Sequence, residues 1–345
     1  MCAEESLKGN GSCGFSTSSG HEHPSVMCLM VTHNGEQSIA GSIQSIQQAA
    51  SWIHSLYVID NASSDQTCEV LRTIDFPGLH IRVLPENQGV AAAFNLGLQA
   101  AMREGVRWLF VLDQDSRCLP GCLESLCSQA ESLIGCSLQV GAVCPSVYSR
   151  QFRHILHPPY VWDGYVLKPI DATTEKGPVN VHSGISSGTL YLVQALDQIG
   201  GFREDFFIDF VDHECHLRLL ASGWSMWWIP GAELEHELGV RQEMTPEGLW
   251  IEHAPYRYYY MVRNMLEGYW QHGGFRSVWS FLPELWRHCG KLRRLGGAYG
   301  PCMAYMLKGM VHVMIRRFGP LRNTPDTKKM AGNEMEAYAK SQPEK

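Results

Sequence analysis

The 345-residue chain has no Cys-x-x-Cys pair, although it carries 12 cysteines. Cys118, Cys122 and Cys127 fall close together, but no histidine stands among them at a zinc-site spacing. The cysteines are therefore expected to be free thiols of a reducing compartment. No run of about 18 uninterrupted apolar residues occurs, so no transmembrane helix is expected. Residues 1–23 lack an apolar core and carry Glu4, Glu5 and Lys8, which does not fit a secretory signal. Positive charge is not in excess either. The 28 basic and 35 acidic residues sum to −7, a poor balance for coating nucleic acid, and no nucleic-acid partner is expected. The first apolar run ends in VTHNGEQS, which lacks the lysine or arginine that a nucleotidyltransferase-type phosphate loop needs. No internal repeat is found.

What is present is a globular composition, 45% hydrophobic and 18% charged, long enough to bury a sizeable core. From Val26 onward, short apolar runs alternate with helical spacing. The runs VMCLMVT, SLYVID, HIRVLPEN and VRWLFVLDQDS are separated by segments such as Glu36–Ala50 and the Ala-rich Val90–Glu104, which Gly105 closes. Strand and helix at this rhythm predict an α/β fold with a mostly parallel sheet flanked by helices. Fully apolar strands suit a sheet buried on both faces. Ligands bind such sheets at the carboxyl ends of the strands. His33-Asn34, Asp60-Asn61, Asn87 and Asp113–Asp115 each fall where an apolar run ends, so four polar clusters converge on one edge. Beyond Pro120 the pattern loosens. Leu123–Leu133 reads as a helix, VGAVCPSVY as a strand, residues 150–180 as loop or hairpin, and Asp209–Ser222 as a helix. WSMWWIPGAELEH reads as a late strand or hairpin.

Asp113 and Asp115 form the strongest chemical feature. Two carboxylates two residues apart at a strand end can hold one magnesium or manganese ion, and such an ion can bridge a diphosphate. Turns also use Asp often, so the pair alone decides little. Asp60 is placed to accept hydrogen bonds from a base or ribose, or else to cap a turn. Asp65 reads equally as a helix cap and as a ligand. Asn87 with Gly89 suits a turn, and Asn95 is a polar residue inside an Ala-rich helix, where solvent exposure is the plain explanation. Gly184, Ser186, Ser187 and Gly188 form a small-residue loop that permits a close backbone approach to a ligand and equally suits a plain turn. Asp212-His213-Glu214 opens a helix whose Arg218 stands one turn beyond Glu214, within pairing reach. An exposed charged helix start is the simpler account of that trio. His236 closes the last strand-like run, where a lone histidine is more often structural than a ligand.

Taken together, VTHN, VIDNASSD, NQGVAAAFNLGL, VLDQDS, FFIDFVDHECHLRL and AELEHELG, in that order, resemble the family 2 inverting glycosyltransferases of the GT-A fold. The resemblance spans roughly residues 25–240. LDQDS, ISSGTLY, FFIDFVD and YRYYYMVRN lean towards bacterial rhamnosyltransferases that use dTDP-L-rhamnose. Cys215-His216 departs from the pattern, which places Trp after the Glu. The resemblance implies roles. Thr32 lines the nucleotide pocket, Asp60 binds the pyrimidine with Asp65 near it, and Asn87 and Asn95 frame the sugar-nucleotide loop and helix. Asp113 and Asp115 hold the ribose and the metal-diphosphate. Ser187 and Gly188 approach the donor sugar or acceptor. Asp212 is the general base with Glu214 as support, and His236 is a late contact to the metal or diphosphate. Two other readings share these motifs, a UDP-hexose or galactofuranose transferase and a non-catalytic nucleotide-sugar-binding scaffold. A pure binder, however, has no need of a base.

The expected organisation is a disordered leader at 1–24, a GT-A catalytic domain with a Rossmann-like nucleotide-binding half at 25–240, a helical aromatic and basic region at 241–324, and a disordered tail at 325–345. Arg257, Arg263, Arg276, Arg287, Lys291, Arg293 and Arg294 lie among Trp, Tyr, Leu and Met in the third part. That mixture suits either an amphipathic surface at an anionic membrane or an ordinary helical cap on the catalytic domain. The expected partners are a nucleotide-sugar donor and a saccharide or lipid-linked acceptor. The expected location is the cytoplasm, with any membrane contact peripheral and on the inner face.

Overall fold

A computed structural model of the protein describes residues 25–321 apart from 238, 240, 247 and 296–298. The expected leader and tail lie outside the described residues. In chain order the elements are β1 (Val26–Thr32), α1 (Ile39–Ser45), β2 (Ile53–Asp60), α2 (Thr67–Arg72), β3 (Leu79–Val83), α3 (Val90–Glu104) and β4 (Trp108–Asp113). Then come β5 (Arg117–Cys118), α4 (Cys122–Gly135), β6 (Val140–Ser149), β7 (Ile155–His157), β8 (Tyr160–Trp162), β9 (Leu167–Pro169), β10 (Val179–Val181) and β11 (Leu190–Leu192). The chain continues through α5 (Val193–Gln198), α6 (Val211–Ala221), β12 (Ser225–His236), β13 (Arg241–Thr245), β14 (Gly248–Glu252), α7 (Arg257–Leu295) and α8 (Tyr299–Met314).

The main sheet runs β10-β12-β6-β11-β4-β1-β2-β3, with β5 paired to β12 and β7 to β6. Strands β3, β2, β1 and β4 are parallel, and β11 enters antiparallel between β4 and β6. Val26 to Met30 and Trp108 to Leu112 are buried throughout, as central strands covered on both faces must be. Each large apolar side chain so buried contributes about 2 kcal/mol. That burial holds the strands in register, and register is what builds the site: Thr32 pairs with Asp60, and Val31 with Asp113, so three strand ends finish side by side. Helix α3 lies close on β1, because a Cβ at Gly97 would meet Leu29 Cδ2 at 2.3 Å.

Two expectations need correction. The third apolar run does not become a covered strand. It forms β3 at the sheet edge, where Ile81 and Val83 are exposed and His80 and Arg82 alternate with them. The region from 241 is not helical from its start either. Residues 241–252 form the β13–β14 hairpin, turning just before Gly248 at φ 108°, and helix begins only at Arg257. The late run at 225–236 is a single strand, β12. The described cysteines are all free, and most are buried. No described helix is long and apolar enough to cross a membrane.

Candidate active site

The DQDS turn leaves β4 and at once forms β5, which pairs with the end of β12: Cys118 lies opposite Leu234, and Arg117 opposite Glu235. That pairing carries His236 to the carboxylates of a turn 120 residues away in sequence. His236 Nδ1 stands 3.3 Å from Asp115 Oδ1, and Nε2 stands 3.8 Å from Asp113 Oδ2. One atom from each of the three side chains lies within 4.8 Å of the others. Ser116 Oγ shares a hydrogen bond with His236 Nδ1 (2.8 Å) and another with Ser187 Oγ (2.7 Å), while Ser187 Oγ accepts from Asp113 N–H (3.1 Å). These four residues form one closed network, which fixes the imidazole and leaves Nε2 towards Asp113.

Electrostatics mark the same place. Burial, reinforced by the Asp115 and Asp212 charges, pushes Asp113 up to about 6, although His236 opposes the rise. Burial acts upward on Asp115 too, but the adjacent His236 holds it below its ordinary value. Burial disfavours a charged His236, yet Asp115 and then Asp113 raise it above its ordinary value. Two carboxylate oxygens and one imidazole nitrogen in this spacing fit a hard divalent cation, magnesium or manganese.

Asp212 sits in the first turn of α6. Its Oδ2 accepts from Ser186 N–H (3.2 Å) and its Oδ1 from His213 N–H (2.8 Å). Burial alone would raise its pKa, but His213 and its backbone amide hold it below its ordinary value, so it is ionised at neutral pH. It is near enough to Asp113 to influence that group's charge. The helix starts at Val211, two residues later than expected, because Asp209 and Phe210 are left-handed, with φ of 64° and 62°.

The remaining expected residues divide. Thr32 donates its hydroxyl to Gln114 Oε1 (2.6 Å), which also accepts His33 N–H (2.9 Å). The middle residue of DQD, assigned no role from sequence, therefore ties the end of β1 to the end of β4. Asp60 is buried. Its Oδ2 accepts Ser63 N–H, while Oδ1 has no partner, a buried acceptor suited to a donor from outside the chain. Asn61 also joins this edge. Its side-chain oxygen accepts Gln88 N–H, and its carbonyl lies 2.9 Å from His33 Nδ1.

Asp65 closes a turn just ahead of α2, whose N-cap position is Gln66. The Asp65 oxygens accept from Thr67 N–H, the Thr67 hydroxyl and Glu36 N–H, lacing α2 to the loop after β1. Asn87 closes a turn onto Gly89 N–H. Asn95 is half-buried and bonded within the chain. Its amide bridges α3 to the Phe202 backbone in both directions and to Glu204. Gly188 serves packing, since at φ 79° a Cβ would meet Pro145 Cγ at 2.7 Å. Glu214 is buried and gripped by Arg218 (2.8 Å). Paired this way it braces α6, and the exposed charged helix start does not hold for it.

Residues missed from sequence come mainly from the long C-terminal helix. Arg257 pairs with Asp209, and its charge reaches Asp113. Arg263 donates to the carbonyls of Asp205, Phe206 and Gly319, and Asn264 to those of Phe206, Ile208 and Asp209. The only sequence signal for them was the stretch YRYYYMVRN.

Residues 27–200 match the profile described as Glycosyl transferase family 2. The chain belongs to this family. As a family 2 glycosyltransferase it is 26% identical over 241 residues to the dTDP-rhamnosyl transferase RfbF of Shigella flexneri, covering 69% of this chain and 78% of that protein. It is 25% identical over 209 residues to the galactofuranosyltransferase GlfT1 of Mycolicibacterium smegmatis, covering 58% and 67%. The fold is of GT-A type. It resembles that of the mannosyltransferase PcManGT from Pyrobaculum calidifontis, solved with GDP-Man and Mn2+, at a TM-score of 0.52 and 15% identity over 86% of this chain and 87% of that one.

Proposed function

We propose that this glycosyltransferase moves L-rhamnose from dTDP-L-rhamnose to a saccharide or lipid-linked acceptor of a cell-surface polysaccharide, working on the cytoplasmic side. The observation that carries the reading is the proximity of an ionised carboxylate, Asp212, to the Asp113–Asp115–His236 cluster, close enough for its charge to act on Asp113. Similarity to a dTDP-rhamnosyl transferase supports the donor. Asp113, Asp115 and His236 would hold magnesium or manganese, and a bound ion would neutralise charge on the departing diphosphate. The unpartnered oxygen of Asp60 supports it as acceptor for a pyrimidine N–H, with Thr32 beside it. Asp65, Asn87, Asn95, Gly188 and Glu214 act on the chain itself. Ser187 acts through Ser116 and the Asp113 amide.

Asp212 takes the proton of the acceptor hydroxyl as that oxygen attacks the anomeric carbon. The new carbon–oxygen bond forms opposite the breaking bond to the diphosphate, which leaves with the bonding pair, and the configuration inverts. A general base typically contributes about 10²–10⁴-fold, with positioning and charge stabilisation supplying the rest.

Similarity to a galactofuranosyltransferase favours a second reading, a UDP-galactofuranose donor. Incubation with dTDP-L-rhamnose, UDP-galactofuranose and UDP-hexoses, with the product anomer assigned by NMR, separates the two. Turnover of dTDP-L-rhamnose alone, with inversion, is expected. Preferential use of a UDP-sugar would discard the rhamnose donor, and retained configuration would discard Asp212 as base in a single displacement.

A further inference from the structure

Beyond Gly274 (φ 66°), helix α7 changes character. One face packs inward through Ser277, Phe281, Leu285 and Leu292, all buried. The opposite face is apolar too. Phe275 is 66% exposed, Trp279 66%, Leu282 39% and Trp286 80%, at i, i+4, i+7 and i+11. A helix apolar on both faces needs a second apolar neighbour, and among the described residues this outer face stays largely exposed. Charge complementarity identifies the neighbour. Residues 271–295 carry Arg276, Arg287, Lys291, Arg293 and Arg294 against a single acid, Glu284, in a chain whose net charge is −7. Exposed tryptophan and phenylalanine flanked by arginine and lysine match the headgroup boundary of an anionic bilayer.

We infer that the outer face of α7, centred on Phe275, Trp279 and Trp286, lies on an anionic lipid surface. No described helix is long and apolar enough to span the bilayer, so the contact is in the plane of the interface. A hairpin joins this face to the chemistry. Tyr165, 40% exposed between β8 and β9, lines a shallow groove with Phe275 and Trp279. At the foot of the same hairpin, Tyr160 meets the ring of His213, next to Asp212, edge-on at 5.2 Å. One hairpin thus runs from the lipid-facing groove to the ring beside Asp212, which favours a lipid-linked acceptor. That last step rests on the transferase reading, whereas the lipid contact does not.

The test uses the full chain and sedimentation with vesicles of phosphatidylcholine alone or of equimolar phosphatidylcholine and phosphatidylglycerol. Binding to the anionic vesicles only is expected. The variant Trp279→Ser/Trp286→Ser, altered at two exposed positions that leave the core intact, should lose about tenfold or more in partitioning. Its turnover of a water-soluble acceptor should be unchanged. Absence of binding by the natural chain, or equal binding by the variant, overturns the proposal. A dimer that the variant converts to monomer, with vesicle binding unaltered, overturns it in favour of a second copy of the chain. Vesicle binding without turnover of any nucleotide sugar would sink the transferase reading and leave the lipid contact standing.

Discussion

Arg257 grips Asp209 through two contacts, Nε to Oδ2 at 2.8 Å and Nη2 to Oδ1 at 2.6 Å, and so fastens the first turn of α7 three residues ahead of Asp212. Asp209 belongs to a segment with three left-handed non-glycine residues, Phe207, Asp209 and Phe210. Each such residue costs about 1–2 kcal/mol and persists only where its surroundings over-determine it. Here the surroundings are Arg257, Arg263 and Asn264. The C-terminal helix therefore shapes the segment that leads into Asp212.

Asn264→Ala would remove a side-chain amide whose two N–H groups are shared among three carbonyls of that segment, with a destabilisation of about 2 kcal/mol at roughly 1 kcal/mol per N–H. The protein should stay folded at room temperature, since domains of this kind typically hold about 5–15 kcal/mol. Turnover should fall about tenfold or more, because small misplacements of a catalytic group are costly. Nucleotide binding, proposed for the ends of β1 and β2, should persist, because neither end is held by Asn264. Kinetics combined with nucleotide titration check this, and unchanged turnover would show that the base needs no such clamp. By the same logic, a chain cut near residue 240 loses all three clamps and should not retain a native site.

Asp212→Asn preserves the side-chain shape and can keep one of the two amide contacts, since an amide retains a single acceptor oxygen, but it removes the proton acceptor. Transfer should disappear while donor binding remains, as a product assay paired with calorimetry would reveal. Near-normal turnover would take Asp212 out of the mechanism.

The metal cluster offers a third prediction. A nucleotide present at 100 times its dissociation constant should stabilise the protein by about 2.7 kcal/mol. With dTDP and manganese, chelation by EDTA should abolish much of that gain. His236→Ala and Asp115→Asn should reduce the metal-dependent part, because the first removes one ligand of three and the second removes a ligand's negative charge. Thermal melts with and without metal measure it. Equal metal-dependent gains in the variants would move the cation elsewhere.

How much of this was legible in the sequence depends on range. Apolar runs ending in His33-Asn34, Asp60-Asn61 and Asp113–Asp115 report on local strands, and parallel pairing aligns those ends without further information. Asp113 and Asp115 could be singled out because both sit in one turn. His236 could be tied to them only through the resemblance, because the contact depends on β5 pairing with β12 across the fold. Asn95 misled for a related reason. A polar residue on an Ala-rich helix points to a partner, but the partner is the Phe202 backbone, 107 residues away. Arg257 and Asn264 lay in a stretch whose basic and aromatic composition resembles a membrane surface, and composition does not reveal which arginines turn inward.

His216 supplies a prediction about pH. It stands in the Cys215-His216 pair that departs from the family pattern, and its ring is almost wholly buried. Nδ1 accepts from Gly184 N–H at 3.4 Å, and Nε2 shares a 2.8 Å hydrogen bond with the Tyr191 hydroxyl. The rings of His216 and Tyr191 stack with centroids 5.5 Å apart. Burial pushes this imidazole down to about 3, although the charge of Asp212 partly opposes the shift. Between about pH 3 and the ordinary histidine value near 6.5, the unfolded chain binds a proton here that the folded chain does not. Stability from this site is therefore full above that range and is lost as pH falls through it, by up to about 1.4 kcal/mol per pH unit. Denaturant unfolding near pH 7 and near pH 5.5 should show a stability loss about 1 kcal/mol smaller in His216→Gln than in the natural chain. Equal losses would mean that the folded protein protonates His216 as readily as the unfolded chain does. The imidazole would then carry charge beside Asp212 at mildly acidic pH, and the carboxylate would be a weaker base there than a neutral neighbour allows.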